Sequence, residues 1–395
     1  MNKVYITGFG IISGIGCGEE ETFTSLQQKR TAIGNISLLE TALKHYPVAE
    51  VKKTNEDLIL LASLQDGKIY SRTFLLGIIA AQQAMQMAGL KTAQGILCAT
   101  TVGGVDLQER YYKQLVENGD NAQLKKEVFP CLELAYGTEQ IASYFDICSN
   151  VTTMSTACTS SANAIMLGAR MIRNGMADSI LVGGMDAISL FSLNGFNSLE
   201  ILSPTGCRPF DRHRNGLTIG EGAAFLVLET EKTAINKRIY GEIAGYANRN
   251  EAFHQTASSP DGAGMAMTIR HALNIACLQP EDIDYINAHG TGTQINDLSE
   301  GNAIGMVFGE NIPPVSSTKA YTGHTLAAAG AIEAVLSVLS IKNQLLLPNL
   351  GLENVMEELP FMPQMEMKKS DIKYVLSNSL GFGGANTALV IGEVG

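Results

Sequence analysis

Four side chains in this sequence carry reactive chemistry in settings that favour it. Cys158 sits in the stretch 155–164, Ser-Thr-Ala-Cys-Thr-Ser-Ser-Ala-Asn-Ala. A β-rich run, Val151–Met154, precedes it, and a helix over 165–174 follows, ending near Gly175. The spacing predicts a sharp strand-to-helix turn at Cys158, among residues small enough for a substrate to approach. A thiol there lies near the positive end of a helix dipole, which can lower its pKa and expose it as a nucleophile. An unperturbed thiol, pKa about 8.5, is only a few per cent ionised at neutral pH, so the position matters. Taken alone, Cys158 reads more simply as a small buried hydrophobe.

Two further segments reverse that balance. One is Asn287-Ala288-His289-Gly290-Thr291-Gly292-Thr293, and the other is Lys319-Ala320-Tyr321-Thr322-Gly323-His324. Each follows a β-like run, so all three place polar groups at the C-terminal edge of a strand, where α/β sheets put their sites. A hydrogen-bonded core histidine is the plain alternative at His289 and His324. Both lie in glycine-flanked turns, which favours function. A thiol, two imidazoles and an ammonium in one pocket suit acyl transfer: the thiol attacks a thioester, and imidazole N–H groups or the ammonium stabilise negative charge. His45, His213, His254 and His271 lack such a setting and are left outside the site.

The elements that must position these groups follow from periodicity. Residues 4–7 read as a strand entering a Gly8-Phe9-Gly10 turn, which completes no Gly-x-Gly-x-x-Gly dinucleotide fingerprint. Residues 74–87 read as a buried helix and 96–101 as a strand ending at Gly103-Gly104. Residues 106–125 read as a surface helix or loop. The apolar region 126–149 reads as cavity lining, dimer contact or core. A strand over 179–182 stops at Gly183-Gly184, and another runs over 223–229. Charges at 229–238 and the break at Gly241 mark a boundary, giving halves 1–239 and 240–395. The second half repeats the grammar: strands at 242–246, 284–288 and 315–319, helices at 265–277, 300–308 and 325–342, and a final pair of strands at 374–377 and 387–391. The strand–turn–helix around Lys319 parallels the one around Cys158, so the chain reads as a duplicated α/β unit.

Composition bounds the rest. The 395 residues are 45% hydrophobic and 17% charged, as in a compact protein with a large core. A net charge of −11 argues against general affinity for nucleic acid or an anionic membrane. Seven cysteines, an odd number without a CxxC pair, argue against a disulfide framework and a zinc site. No signal-peptide core is evident and no apolar run is read as reaching transmembrane length, so the expected location is cytoplasmic.

On these residues the sequence resembles the β-ketoacyl-acyl carrier protein synthases, the elongating, decarboxylating condensing enzymes of the thiolase fold. The resemblance spans essentially the whole chain. It rests on Thr156-Ala157-Cys158, Arg208-Pro209-Phe210-Asp211, Gly220-Glu221-Gly222, the His289 motif through Asp297 and Glu300, the Lys319–His324 motif through Glu333, and Gly381-Phe382-Gly383-Gly384-Ala385-Asn386. It implies a thiolase-like α/β fold of duplicated halves in α-β-α-β-α layers. It implies that Cys158 is acylated, with an oxyanion hole and gate formed by Cys158, Phe382 and Gly383. His289 and His324 would stabilise the oxyanion, Lys319 would orient the second histidine and bias the field, and Glu333, Thr291 and Thr293 would support them. Arg208, Arg212 and Arg214 are the candidates for holding acyl carrier protein, structural ion pairs being the alternative. No metal or organic cofactor is implied. A homodimer is expected, a heterodimer with a related subunit being the other arrangement.

The sequence departs from the family pattern at Glu251-Ala252-Phe253-His254, where Asp commonly opens the run, and at Ser71-Arg72, where Asp-Arg is familiar. Residues 105–150 look shorter and differently composed, which bears on chain length and on the dimer partner. Two competing readings are weaker. A non-catalytic chain-length subunit would lack the cysteine. A thiolase would carry a second reactive cysteine near the C-terminus, and none follows Cys277.

Overall fold

The structure, a computed structural model, describes residues 2–65, 67–118 and 126–394. Its strands are β1 (Tyr5–Ser13), β2 (Ile96–Ala99), β3 (Val151–Met154), β4 (Ser179–Asp186), β5 (Gly222–Glu229), β6 (Gly241–Asn250), β7 (Tyr285–Asn287), β8 (Val315–Ser316), β9 (Tyr374–Gly381) and β10 (Ala385–Gly392). The helices that matter here are α1 (Arg72–Met87), α2 (Val105–Asn118), α3 (Tyr136–Tyr144), α4 (Ser160–Arg173), α5 (Leu190–Ser198), α6 (Ala263–Ala276), α7 (Gln294–Phe308) and α8 (Ala329–Asn343).

These strands join in one sheet, ordered β3-β2-β4-β5-β1-β6-β10-β9-β7-β8, with the short strand Gly16–Cys17 folded back on β1. The order is a repeat reflected about its centre. In the first group β2 pairs parallel with β3 and β4, and β5 pairs antiparallel with β4 and β1. In the second, β7 pairs parallel with β8 and β9, and β10 pairs antiparallel with β9 and β6. The groups meet where β1 pairs with β6 through Tyr5–Glu242 and Ile6–Gly241. Helices α4 and α8 pack on each other and against strands of both groups. Helix α1 covers the outer face of the first group, and α6, backed by α7, that of the second. This is the duplicated, five-layer thiolase-like arrangement.

Glycine governs how closely the layers approach. Residues 8–10 are strand rather than turn: a Cβ at Gly10 would lie 2.0 Å from the Ala80 carbonyl oxygen and one at Gly8 2.2 Å from that of Ala84, so α1 sits directly on β1. Gly245 repeats the device in the second half, with Ala272 O at 2.2 Å. Gly183 and Gly184 likewise do not end β4. They pass close to Ala224 and Ser161, and the strand runs on to Asp186.

The stretch Leu326–Asn343 is long and apolar enough to cross a membrane, which corrects the expectation that no run is. It is 89% buried within the protein and carries Glu333, so its apolarity serves the central layer. The surface segment expected at 106–125 is helical through Asn118, and 119–125 fall outside the described residues. The segment expected at 315–319 as one strand is β8 followed by a helical turn, Lys319–Thr322.

Candidate active site

Strand β3 delivers the chain to the nucleophile and α4 carries it away. Between them Ala157 has φ +52°, a left-handed conformation that turns the chain sharply just before Cys158. Short side chains stitch the turn together. The Thr156 N–H donates to Ser160 Oγ at 2.8 Å, and the Thr159 hydroxyl donates to Thr156 O at 2.7 Å. Asn163 Nδ2 donates to Thr156 Oγ1 at 2.9 Å, while its Oδ1 accepts from Thr387 of β10 at 2.9 Å. Cys158 is 7% exposed. Burial pushes its thiol up to about 11, against the pull of the Lys319 ammonium and of the Phe382 backbone N–H. This corrects the expected lowering. A helix terminus contributes typically 0.3–1 kcal/mol, too little to outweigh loss of hydration around a buried thiolate.

The two imidazoles arrive from the other half of the chain. Lys319 Nζ lies 3.1 Å from His289 Nδ1, and the Leu326 N–H donates to His324 Nδ1 at 3.2 Å. An ammonium and a backbone N–H are donors only, so both Nδ1 atoms are acceptors and both Nε2 atoms carry the proton, an assignment made from these partners. The rings meet edge to face with centroids 5.3 Å apart. Burial and the Lys319 charge hold both histidines well below 6.5, neutral at physiological pH. One nitrogen of each and the Cys158 sulfur fall within 4.8 Å of one another. That spacing and donor set match three metal ligands, but the partner of His289 Nδ1 does not. Coordination through Nε2 would move the His289 proton to Nδ1, against an ammonium. The arrangement instead sets two neutral imidazoles, each with its proton on Nε2, close to a thiol, a donor set able to stabilise developing negative charge.

Buried carboxylates hold these turns. Lys319 pairs with Glu333 in the core, and burial keeps the Glu333 carboxyl up at about 7 despite the ammonium. Glu300 of α7 accepts from the N–H groups of His289 and Gly290, each at 2.8 Å. Asp297 accepts from Thr291 N and Gly292 N, and from Phe210 N across the loop. Arg214 is 5% exposed and spends its guanidinium on the carbonyls of Asp211, Thr293 and Gln294. It is a clamp on the His289 loop and cannot reach a carrier protein. Arg208 and Arg212 are accessible and pair with Glu353 and Glu357.

Two cavities share the nucleophile. One, about 380 Å³, is lined by His289, His324, Thr291 and Thr293, among others. The other, about 360 Å³, runs between apolar residues including Val102, Phe191, Leu199 and Leu326. Cys158, Phe196 and Phe382 line both. The rings of Phe196 and Phe382 lie 5.9 Å apart, tilted by 31°, and stand as a partition. Gly383 (φ +81°) and Gly384 (φ +76°) follow Phe382 in left-handed conformations that favour glycine. The Gly383 N–H donates to Gln255 O at 2.8 Å, so it is not an oxyanion donor in this conformation. His254, set aside from sequence, lines the mouth of the first cavity. Phe196 and Asp186 were missed too: α5 gave no reactive signature, and Asp186 lay past a strand end placed too early.

Residues 1–234 match the family described as beta-ketoacyl synthase, N-terminal domain, and 240–353 its C-terminal domain. A 3-oxoacyl-[acyl-carrier-protein] synthase 2 of Staphylococcus aureus (strain COL) is 35% identical, over 98% of this chain and 97% of that protein. Among solved structures, the ishigamide ketosynthase/chain length factor superposes with a TM-score of 0.94 at 30% identity, covering 100% of both chains. A type II polyketide ketosynthase solved with its acyl carrier protein and bound to the hexaketide gives 0.90 at 28%, again covering 100% of both. With the nucleophile turn, the paired histidines and the fold in agreement, the chain belongs to the β-ketoacyl synthase family.

Proposed function

We propose that this chain catalyses decarboxylative condensation of malonyl-acyl carrier protein with an acyl group held on Cys158. The sulfur attacks the acyl thioester. The carbon–sulfur bond to the first carrier breaks, and that carrier's thiol leaves with the Cys158 proton. The backbone N–H groups of Cys158 and Phe382 hold the oxyanion of this step. A malonyl thioester then loses carbon dioxide, and the electron pair of the broken bond becomes an enolate. The Nε2–H groups of His289 and His324 hold the enolate oxygen. The enolate carbon attacks the Cys158 thioester, the β-ketoacyl product leaves on the second carrier, and the freed thiolate regains a proton from water. Lys319 keeps His289 in the donating tautomer. The observation that carries this reading is a pair of neutral imidazoles, each with its Nδ1 taken by a donor, and a thiol whose ligand atoms lie within 4.8 Å of one another.

The 360 Å³ apolar cavity suits the acyl chain, and Phe382 with Phe196 gates it. Arg208 and Arg212 are the carrier contacts. A second ketosynthase-fold subunit, in the first instance another copy, is placed along β3. That strand is an edge, paired among the described residues only with β2, and Tyr144 of the adjoining α3 stands exposed. Seven free cysteines suit a reducing, cytoplasmic setting. The division at 239/240 is read from the grouping of strands on either side of the β1–β6 seam.

The test is intact mass after incubation with acyl-carrier thioesters, wild type beside Cys158→Ala, followed by addition of malonyl carrier. The expected result is an acyl-sized increase in wild type alone, discharged as a β-ketoacyl product on the carrier. No increase with any chain length, or an equal increase in Cys158→Ala, overturns the reading.

A further inference from the structure

Asp186, the last residue of β4, is a completely buried carboxylate that takes part in no ion pair among the described residues. Backbone and hydroxyl donors alone surround it. Its Oδ1 accepts from Thr100 Oγ1 at 2.7 Å, Thr101 N at 3.0 Å and Val102 N at 3.3 Å. Its Oδ2 accepts from Thr101 Oγ1 at 2.6 Å, from Thr101 N at 3.2 Å and, across to the second half of the chain, from Ala327 N at 2.8 Å. Both oxygens therefore hold the loop after β2, whose Thr101 and Val102 line the apolar cavity. Oδ2 also reaches the turn that follows His324.

That turn is strained at one place. Leu326 has φ +53°, a left-handed conformation that a branched, bulky residue rarely adopts. In that conformation its N–H meets His324 Nδ1. The next N–H, of Ala327, is the one Asp186 accepts. The strained residue is thus restrained on one side by the histidine and on the other by the carboxylate.

We propose that Asp186 is a positioning residue for His324. By holding the Ala327 N–H it keeps Leu326 left-handed, which delivers the Leu326 N–H to Nδ1 and fixes the His324 proton on Nε2, facing the substrate. The inference rests on the reading of His324 as an oxyanion donor in condensation. An aspartate suits the task because both oxygens are acceptors. An asparagine of the same size would turn an NH2 group towards Ala327 N–H or Thr101 N–H, a donor against a donor.

The experiment compares wild type, Asp186→Asn, Asp186→Glu and His324→Ala in three measurements. These are the rate of Cys158 acylation by intact mass, the rate of condensation with malonyl carrier, and the tautomer of 15N-labelled histidine by long-range 1H–15N correlation. In Asp186→Asn acylation should stay within about threefold of wild type, while condensation falls about 30-fold or more, short of the 10²–10³ for losing an oxyanion donor outright. The His324 signal should pass from pure Nε2–H to a mixture. Asp186→Glu, which keeps two acceptor oxygens, should recover part of both. Wild-type condensation in Asp186→Asn, or parallel loss of both rates with an unchanged tautomer, would overturn the proposal. Should Asp186→Asn fail to fold, Asp186→Glu is judged by the same split between the two rates. Unimpaired condensation in His324→Ala would instead sink the reading of His324 and leave the tautomer measurement to decide on Asp186 alone.

Discussion

Lys319 stands between His289 Nδ1 and Glu333, and both contacts depend on its charge. Lys319→Met strands a carboxylate in the core, so stability should drop by about 3–5 kcal/mol in urea denaturation. Adding Glu333→Leu removes the stranded charge and should return most of that loss. Condensation should stay impaired in the double variant, because nothing then holds the His289 tautomer. Recovery of activity along with stability would mean that Lys319 acts only through packing. At this scale the sequence was informative where chemistry concentrates in small-residue turns: Cys158, His289, Lys319 and His324 are all brought together. It misled on the thiol, because the helix end is visible in the sequence and the depth of burial is not. Arg214 misled for a related reason, since a guanidinium clamped on carbonyls and one free for a partner have the same spelling.

Elements meet through glycine in this fold, and two positions separate two uses of it. Gly10→Ala would push a Cβ to within 2.0 Å of the Ala80 carbonyl, a backbone atom that cannot swing aside. The loss should sit at the upper end for overpacking, about 3 kcal/mol, or prevent folding. Gly383→Ala has open space around the new methyl but must adopt φ +81°. It should lose only about 1–2 kcal/mol in the same urea titration while slowing turnover, if Phe382 gates the cavity as proposed. If Gly10→Ala were the milder of the two, the close packing of α1 on β1 would be wrong. The periodic helices were legible because their apolar spacing survives burial. Strand ends at 8–10 and 183–184 were not, because glycine in a sequence does not say whether the chain turns there or another element presses against it.

Across the whole molecule, buried titratable groups set opposing pH dependences, and those of the second half show both signs. Glu300 is lifted by burial to about 7 from an ordinary 4.5. The folded state therefore binds a proton that the unfolded state releases, and stability falls as pH rises from about 4.5 to 7, by up to about 3 kcal/mol. The histidines act oppositely. Their folded values lie well below 6.5, so the stability they contribute is present above 6.5 and is lost as pH falls below it. In Glu300→Gln the first contribution vanishes. The stability gap between variant and wild type, read from urea midpoints at pH 5 and 8, should be smaller at pH 8. An unchanged or wider gap would mean that Glu300 ionises normally. The duplication behind this layout was visible in the repeated strand–turn–helix. The reflected strand order was not, since its centre depends on pairings between residues more than a hundred positions apart.

A resting thiol lifted to about 11 has a consequence for oxidative damage. Peroxide attacks the thiolate, and at pH 7 such a thiol is ionised to about one part in ten thousand. Cys158, the proposed nucleophile, should then be among the last cysteines in the chain to be oxidised at rest. Exposed Cys148 and Cys277 should take up oxygen first. Peptide masses after graded peroxide treatment should show those two modified while condensing activity persists, and sulfenic acid appearing first at Cys158 would mean that its proton is already gone at rest.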